Sequence, residues 1–214
     1  MRKKDIQFCR QCRKKLRLIE HPLCLCCGFL FSSGENHICE NCLRISHYFS
    51  KARAILLYND KSAKIIKNFK YSKARDMLTT FAALKEKSTV FADIFSPDII
   101  MPVPLHPKRL RYRGFNQSLI LADIFYKEQK EKIDCHNLIR SKNTRAQITL
   151  KGDERRKNVI NAFSLLNPEK IKDKQIVIID DVFTTGTTVN ECSRILLMAG
   201  ASEVQVLTLA RVRE

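Results

Sequence analysis

Two adjacent carboxylates and the hydroxyl-rich turn behind them form the segment of the chain best equipped for chemistry. Asp180 and Asp181 follow the apolar residues 176–179, and a threonine-rich segment over residues 184–188 comes next, with Gly186 at its centre. A buried strand before the acids would deliver them to the carboxyl edge of a sheet, where α/β proteins bind ligands. Backbone N–H groups, hydroxyls and the positive end of a helix dipole in the turn suit a phosphate monoester. Because carboxylates repel phosphate, we expect the acids to hydrogen-bond the hydroxyls of an attached sugar.

A cluster of cations lies between two prolines and the next predicted helix. Its members fall within six residues and have no acid among them: Lys108, Arg109, Arg111 and Arg113. Tyr112 and Phe115 are interleaved with them. Guanidinium groups bind phosphate through paired hydrogen bonds, and aromatic rings stack on unpaired bases. The cluster, together with Asn116 behind it, therefore predicts contacts with single-stranded DNA, and the alternative is a solvated basic face with Phe115 in the core.

Three Cys-x-x-Cys pairs near the N-terminus have the spacing of a metal-binding module. The pairs are Cys9 with Cys12, Cys24 with Cys27, and Cys39 with Cys42. Such a pair lets two thiolates bind one tetrahedral metal from a tight turn, and so short a segment needs metal to fold. The sequence predicts a structural Zn²⁺ with these six cysteines as candidate ligands.

A single zinc ion needs only four of the six cysteines, so the assignment stays open. Our first choice joins the pair Cys24/Cys27 with Cys39/Cys42, and our second choice joins Cys9/Cys12 with Cys39/Cys42. A second metal site that recruits Cys26, His21 or His37 is the remaining arrangement.

The composition is that of a folded, strongly basic protein. The 214 residues are 44% hydrophobic and 29% charged, which excludes a collagenous, low-complexity or wholly disordered chain. Lys and Arg total 39 against 22 Asp and Glu, and the net charge of +17 favours a polyanionic partner such as nucleic acid or an anionic membrane surface. No apolar run approaches the roughly 20 residues of a membrane span. Since no apolar h-region follows the basic N-terminus, we expect a cytoplasmic protein, whose nine cysteines favour metal over disulfides.

The apolar pattern predicts an α/β domain behind the cysteine-rich segment. Strands are predicted over residues 54–58, 99–103, 175–179 and 203–210, and helices from residue 60 onward and over 73–86, 115–130 and 187–199. The last strand, helix and strand form a right-handed parallel crossover. We place a zinc-ribbon module at residues 1–48 and the α/β domain at 49–214, and we interpret 140–158 as a long loop.

Residues 176–188 resemble the phosphoribosyl diphosphate signature of type I phosphoribosyltransferases, which is four hydrophobic residues, two acids, two hydrophobic residues and Thr-Thr-Gly-Thr-Thr. The resemblance implies a parallel sheet flanked by helices, with a ribose held by the acids and a 5′-phosphate held by the turn. It assigns ribose 5-phosphate binding to Asp180, Asp181, Val182, Phe183, Thr184, Thr185, Gly186, Thr187 and Thr188. It also implies that the turn formed by Val103, Pro104 and Leu105 binds the diphosphate, and that Mg²⁺ accompanies the substrate.

Three separated motifs together are similar to the ComF family of competence proteins. They are the cysteine-rich N-terminus, the Arg-Gly-Phe-Asn-Gln run at residues 113–117 after a Pro-Val-Pro turn, and the paired acids with their turn. The resemblance implies a cytosolic protein that handles incoming single-stranded DNA during natural transformation. It implies a ComFA-type helicase and the inner-membrane DNA channel as partners, with at most peripheral contact with the membrane. Such relatives often carry four cysteine pairs and two zinc ions.

Two other functions stay open at this stage. A nucleobase salvage phosphoribosyltransferase would need a hood that recognises the base. Since the sequence ends at Glu214, directly after the last predicted strand, we expect no hood there, and the cysteine module would have to serve. A regulator that only senses the sugar phosphate is the third hypothesis. If the protein instead handles DNA, as the ComF resemblance implies, the site at the paired acids binds phosphoribosyl diphosphate with Mg²⁺ or a 5′-phosphorylated DNA end.

Overall fold

The computed structural model describes residues 16–69, 75–142 and 159–213. The helices are α1 (Glu40–Arg44), α2 (Asp60–Phe69), α3 (Arg75–Lys87), α4 (Pro107–Arg113), α5 (Gln117–Phe125) and α6 (Thr187–Met198). The strands are β1 (Lys51–Tyr58), β2 (Ile99–Pro102), β3 (Leu138–Arg140), β4 (Phe163–Leu165), β5 (Gln175–Phe183) and β6 (Glu203–Val212). Short 3₁₀ helices cover Thr89–Asp93, Lys127–Lys132 and Pro168–Ile171.

A four-stranded parallel sheet forms the centre of the protein. Its strand order is β1-β6-β5-β2, and β3 and β4 form a separate antiparallel pair. The order places the two longest strands, β5 and β6, in the middle, where Ile176, Val177, Ile178 and Ile179 are fully buried. Strands that are apolar on both faces are typical of parallel sheets covered by helices on each side. The carboxyl ends of all four strands therefore meet at one edge of the sheet.

Each face of the sheet has its own apolar layer. Helices α2, α3 and α5 cover one face with Ile65, Ile66, Phe69, Met77, Phe81, Leu121, Ala122 and Phe125. Helix α6, the β3–β4 pair and the cysteine-rich segment cover the other face with Val189, Cys192, Leu196, Leu138, Phe163, Cys24, Cys27 and Cys39. Because these cysteines belong to the same buried layer as α6, the cysteine-rich segment is part of the domain core.

The cysteine-rich segment is attached to β1 by backbone hydrogen bonds. Ala52 N donates to Cys26 O at 2.7 Å, and Ile19 N donates to Ile55 O at 2.9 Å. Gly28 makes the closest approach, because a Cβ at this position would lie 2.5 Å from Ala52 O, and its φ of +69° favours glycine. Whether residues 1–48 also fold separately from 49–214 stays a prediction.

The predicted α/β class with a parallel sheet is confirmed, and several element boundaries differ from the prediction. The helix predicted over 115–130 ends at Phe125, because Gln129 has non-helical backbone angles and a 3₁₀ helix takes over. The basic cluster is itself a helix, α4, since Pro107 starts it and Gly114, with φ +77°, ends it. The loop prediction is wrong at Arg140, which closes β3, and its residues 143–158 lie outside the described ones.

We predict that Gly28→Ala destabilises the protein more than Gly34→Ala. Both glycines have positive φ, which costs an L-residue about 1–2 kcal/mol. Only the Gly28 variant also drives a methyl group into Ala52 O, whereas nothing lies within 4 Å at Gly34. Urea unfolding followed by circular dichroism measures both, and equal losses in the two variants would contradict the close packing of the segment on β1.

Candidate functional site

The turn between β5 and α6 is shaped to receive an anion. Gly186, with φ +71°, is the N-terminal cap residue of α6, so the first backbone N–H groups of that helix point into the turn. The ring of Phe183 lies directly beneath, and a Cβ on Gly186 would come within 2.6 Å of the ring. The hydroxyls of Thr185 and Thr187 are 2.8 Å apart and hydrogen-bond each other. The turn is therefore closed from below by an aromatic ring and open on the helix-dipole side.

Asp180 and Asp181 stand at the mouth of the cavity above this turn, and both are half-buried. Ser118, at the start of α5, donates its hydroxyl to Asp180 Oδ1 at 3.1 Å, and Asp181 N donates to the same oxygen at 2.8 Å. These bonds fix the first carboxylate and leave the pair oriented along the sheet edge. Sequence reasoning did not assign Ser118 a role, and its only signal was a hydroxyl in the first turn of a predicted helix.

The Val103–Leu105 turn follows β2 and lines the same cavity. Val103 N continues the sheet pairing by donating to Ile179 O at 2.9 Å. Asn116 holds the turn from the other side, since its Nδ2 donates to Val103 O at 3.0 Å while its Oδ1 accepts from Ser118 N at 3.0 Å. The structure thus gives Asn116 a positioning role at the cavity, whereas its predicted contact with DNA stays a prediction.

Helix α4 divides the predicted basic cluster between two surfaces. Arg109 and Arg113, one helical turn apart, are half-buried and line the cavity. Lys108 and Arg111 are exposed and do not line the cavity. The predicted basic cluster is therefore half directed to the cavity and half directed to solvent.

Arg140 is a third guanidinium in the cavity wall, and the sequence prediction missed its role. It closes β3, is 7% exposed and lines the cavity with Arg109 and Arg113. Burial and then the charge of Arg109 lower the pKa of Arg140, and burial followed by the charge of Arg113 lowers the pKa of Arg109. The charge of Asp180 acts on the pKa of Arg140 in the opposite direction, so the cavity lining brings cations and a carboxylate close together.

The cavity lining combines two sets of groups. One set is the two aspartates and the hydroxyl-rich turn, from which Thr184, Gly186, Thr187 and Thr188 take part. The other set is the Val103–Leu105 turn and the three arginines. Thr185 is exposed and lies outside this lining. A ligand with an anionic group at each end and hydroxyls between them matches this distribution of donors and acceptors.

Four cysteines come together in the apolar layer that also contains α6. The sulfurs of Cys24, Cys27, Cys39 and Cys42 lie within 4.8 Å of one another, and the first three side chains are buried. Tetrahedral zinc–thiolate bonds of about 2.3 Å place sulfurs about 3.8 Å apart, and the Cys27 and Cys39 sulfurs are 3.7 Å apart. The donor set therefore fits a tetrahedral metal ion. It matches the first of the two arrangements that the spacing left open, while Cys9 and Cys12 lie outside the described residues.

The ionisation of these thiols favours a bound cation. Burial raises the pKa of Cys27 to about 12, and burial together with the Cys27 charge raises that of Cys42 further. Burial also acts on Cys24, but backbone N–H groups outweigh it and lower its pKa to about 6. Without a cation, the four thiols would therefore not all be deprotonated. A divalent ion at their centre would supply the positive charge that stabilises four thiolates.

We predict that Cys39→Ser removes about one equivalent of bound metal, because the variant deletes one of four ligands in a closed site. Elemental analysis of the purified protein measures the loss. Cys135→Ser is the matched control, since this half-buried thiol lies outside the cluster and its loss should leave the metal content unchanged. Full metal content in the Cys39 variant would show that the four cysteines are not the site.

Two cysteines and a histidine outside the two sites have structural positions. Cys192 is buried, whereas Cys135 is half-buried. His106 is the N-terminal cap of α4, where its Nδ1 accepts from Lys108 N at 3.2 Å.

Comparison with known proteins identifies the family of the domain. A family model described as the phosphoribosyl transferase domain matches residues 51–214. Competence protein F of Haemophilus influenzae is 32% identical over 95% of this chain and 90% of that protein. Competence protein ComFC of Bacillus subtilis is 29% identical over 98% of this chain and 86% of that protein, and the DNA utilization protein YhgH of Escherichia coli K12 is 30% identical over 95% and 90%.

Solved structures give more distant likenesses. The allosteric regulatory enzyme of purine biosynthesis aligns with a TM-score of 0.39 and 20% identity over 67% of this chain and 30% of that chain. A hypoxanthine phosphoribosyltransferase from Staphylococcus aureus aligns with a TM-score of 0.36 and 13% identity over 69% and 64%. At these scores neither likeness adds to the family match. Among the described residues, no helix has the length and apolar character that crossing a membrane requires.

Proposed function

The chain belongs to the ComF family and carries its phosphoribosyl transferase domain, and we propose that its cavity binds phosphoribosyl diphosphate or a related ribose 5-phosphate ester. One observation carries this proposal: the segment with the paired aspartates and the hydroxyl-rich turn lines one cavity with the Val103–Leu105 turn, which is far from it in the sequence. The arrangement suits a pentose with an anion at each end.

The pose of the sugar phosphate follows from the chemistry of the two sets of groups that line the cavity. The 5′-phosphate lies in the turn, where it accepts from the N–H groups that open α6. The ribose hydroxyls donate to Asp180 and Asp181. The diphosphate extends to the Val103–Leu105 turn and faces the arginine wall, whose planar forks bind phosphate oxygens in pairs.

Magnesium fits the same cavity. When bound, Mg²⁺ neutralises part of the diphosphate charge, and the carboxylates of Asp180 and Asp181 are hard oxygen donors of the type it prefers. Ser118 keeps Asp180 in place for either partner through its hydroxyl.

We further propose that the protein handles single-stranded DNA during natural transformation, from the cytoplasmic side of the membrane. The names of the competence relatives motivate this step, and the outer face of α4 supports it. That face carries Lys108 and Arg111, and Tyr112 beside them is 81% exposed, which suits stacking on an unpaired base. A ComFA-type helicase and the inner-membrane DNA channel are the partners that this role requires.

We predict that Asp180→Asn with Asp181→Asn abolishes the binding of phosphoribosyl diphosphate in Mg²⁺-containing buffer. The amides lose the charge that attracts Mg²⁺ and weaken the hydrogen bonds to ribose, so affinity falls by about a hundredfold or more. Isothermal titration calorimetry measures this. Asp173→Asn, an exposed aspartate near the opposite end of β5, is the control. Unchanged affinity in the double variant would refute the assigned roles, and pyrophosphate release with added nucleobases separately tests salvage chemistry.

We predict that the two faces of α4 separate sugar-phosphate binding from DNA binding. Arg109→Gln with Arg113→Gln lowers the affinity for phosphoribosyl diphosphate towards that for ribose 5-phosphate, because the removed charges face the diphosphate. Lys108→Gln with Arg111→Gln instead reduces the slope of log K against log salt for single-stranded DNA by about 1.4, since each cation contributes about 0.7. The two double variants are matched controls for each other, and equal effects on both ligands would contradict the division of the helix.

A further inference from the structure

Arg211 is a buried cation that connects the cysteine cluster to the central sheet. It lies near the carboxyl end of β6, is 5% exposed and pairs in register with Phe183 of β5. Its Nη1 donates to Cys27 O at 2.8 Å, and its Nη2 lies 3.5 Å from Cys27 Sγ. Both acceptors thus belong to one residue of the four-cysteine cluster.

The guanidinium has no carboxylate partner among the ion pairs of the described residues. A buried charge needs compensation, and its loss is strongly destabilising. Four thiolates around a divalent metal carry a net charge of about −2 and offer an anionic acceptor at Cys27. Arg53, the other buried cation beside the cluster, differs because it pairs with Asp93 at 2.6 Å. Among the described residues, the anionic group beside Arg211 is therefore the thiolate of Cys27, whereas Arg53 has the carboxylate of Asp93.

The guanidinium of Arg211 also contacts Phe183, the ring that lies beneath the hydroxyl-rich turn of residues 184–188, which we call the phosphate turn. Its central carbon lies 4.5 Å from the centroid of the Phe183 ring, which is within the range of a cation–π contact. Phe183 in turn supports Gly186, the residue that opens α6. Phe49 packs against the other side of the ring, edge to face, at 6.0 Å. The contacts run without a break from Cys27 through Arg211 and Phe183 to Gly186.

We propose that the metal held by the four cysteines positions the phosphate turn through Arg211, so that sugar-phosphate affinity depends on metal loading. The inference rests on the proposed sugar-phosphate site and deepens it. Metal ligation fixes the Cys27 sulfur and carbonyl, which fix the guanidinium, and the guanidinium fixes the Phe183 ring beneath Gly186. Coupling between two sites is reciprocal in binding free energy, so a bound sugar phosphate also strengthens metal binding, and more chelator is needed to remove half of the metal.

The first test compares Arg211→Met with Arg213→Met, an exposed arginine two residues further along the chain. Methionine keeps most of the side-chain length but removes both donors and the charge. We expect Arg211→Met to retain its metal by elemental analysis and to bind ribose 5-phosphate roughly tenfold more weakly by calorimetry, within the usual range of coupling between sites. Arg213→Met should match the wild type. Wild-type affinity in metal-loaded Arg211→Met would overturn the proposal.

The second test uses the wild-type protein, because Arg211→Met can fail to fold. Metal is removed with a chelator, and circular dichroism verifies that the sheet persists. We expect ribose 5-phosphate affinity to fall roughly tenfold and to return with added Zn²⁺. Unchanged affinity in folded, metal-free protein would overturn the coupling.

Hydrogen exchange separates failure of this inference from failure of the proposed function. The amides of residues 183–188 should exchange faster after metal removal, while those of β2 should not change. If the intact protein does not bind ribose 5-phosphate, the proposed function fails, and faster exchange at 183–188 still supports the structural link. Equal protection of the turn with and without metal contradicts the link itself.

Discussion

The central strand β5 is apolar on both faces from Ile176 to Ile179, and this leaves its carboxyl end as the place where polar groups can emerge. Asp180 and Asp181 come out there, directly before the turn that opens α6. The parallel arrangement brings the end of β2 and its Val103–Leu105 turn to the same edge. The burial of β5 therefore determines where the two acids, the hydroxyl-rich turn and the Val103–Leu105 turn come together.

Much of this site was predictable because its central part is contiguous. A buried strand, two acids and a hydroxyl-rich helix start are read in one stretch of sequence, and the α/β class follows from the same periodicity. The arginine wall was not predictable, because Arg140 reaches the cavity from β3 and only the fold places it there. The division of α4 between two surfaces was also not predictable. It depends on how the helix is rotated, and the sequence analysis predicted no helix at these residues.

The cysteine cluster illustrates a different limit. The three pairs have the same internal spacing, so spacing alone could not decide which two share a metal ion. The packing of the segment on the sheet brings two of them together: Ala52 N donates to the Cys26 carbonyl, and Gly28 permits the segment to lie against β1. Cys24 and Cys27 then meet Cys39 and Cys42 in the layer that also contains α6. The described part of the predicted zinc-ribbon module therefore shares the hydrophobic core of the α/β domain.

Helix α4 acts as a partition about 10 Å thick, the ordinary diameter of a helix with its side chains. Arg109 and Arg113 belong to its cavity side, while Lys108 and Arg111 remain in solvent. Under the proposed function, DNA contacts the outer face of this helix and the sugar phosphate its cavity face. The two ligands would then share one seven-residue helix as their boundary and would not compete for the same side chains.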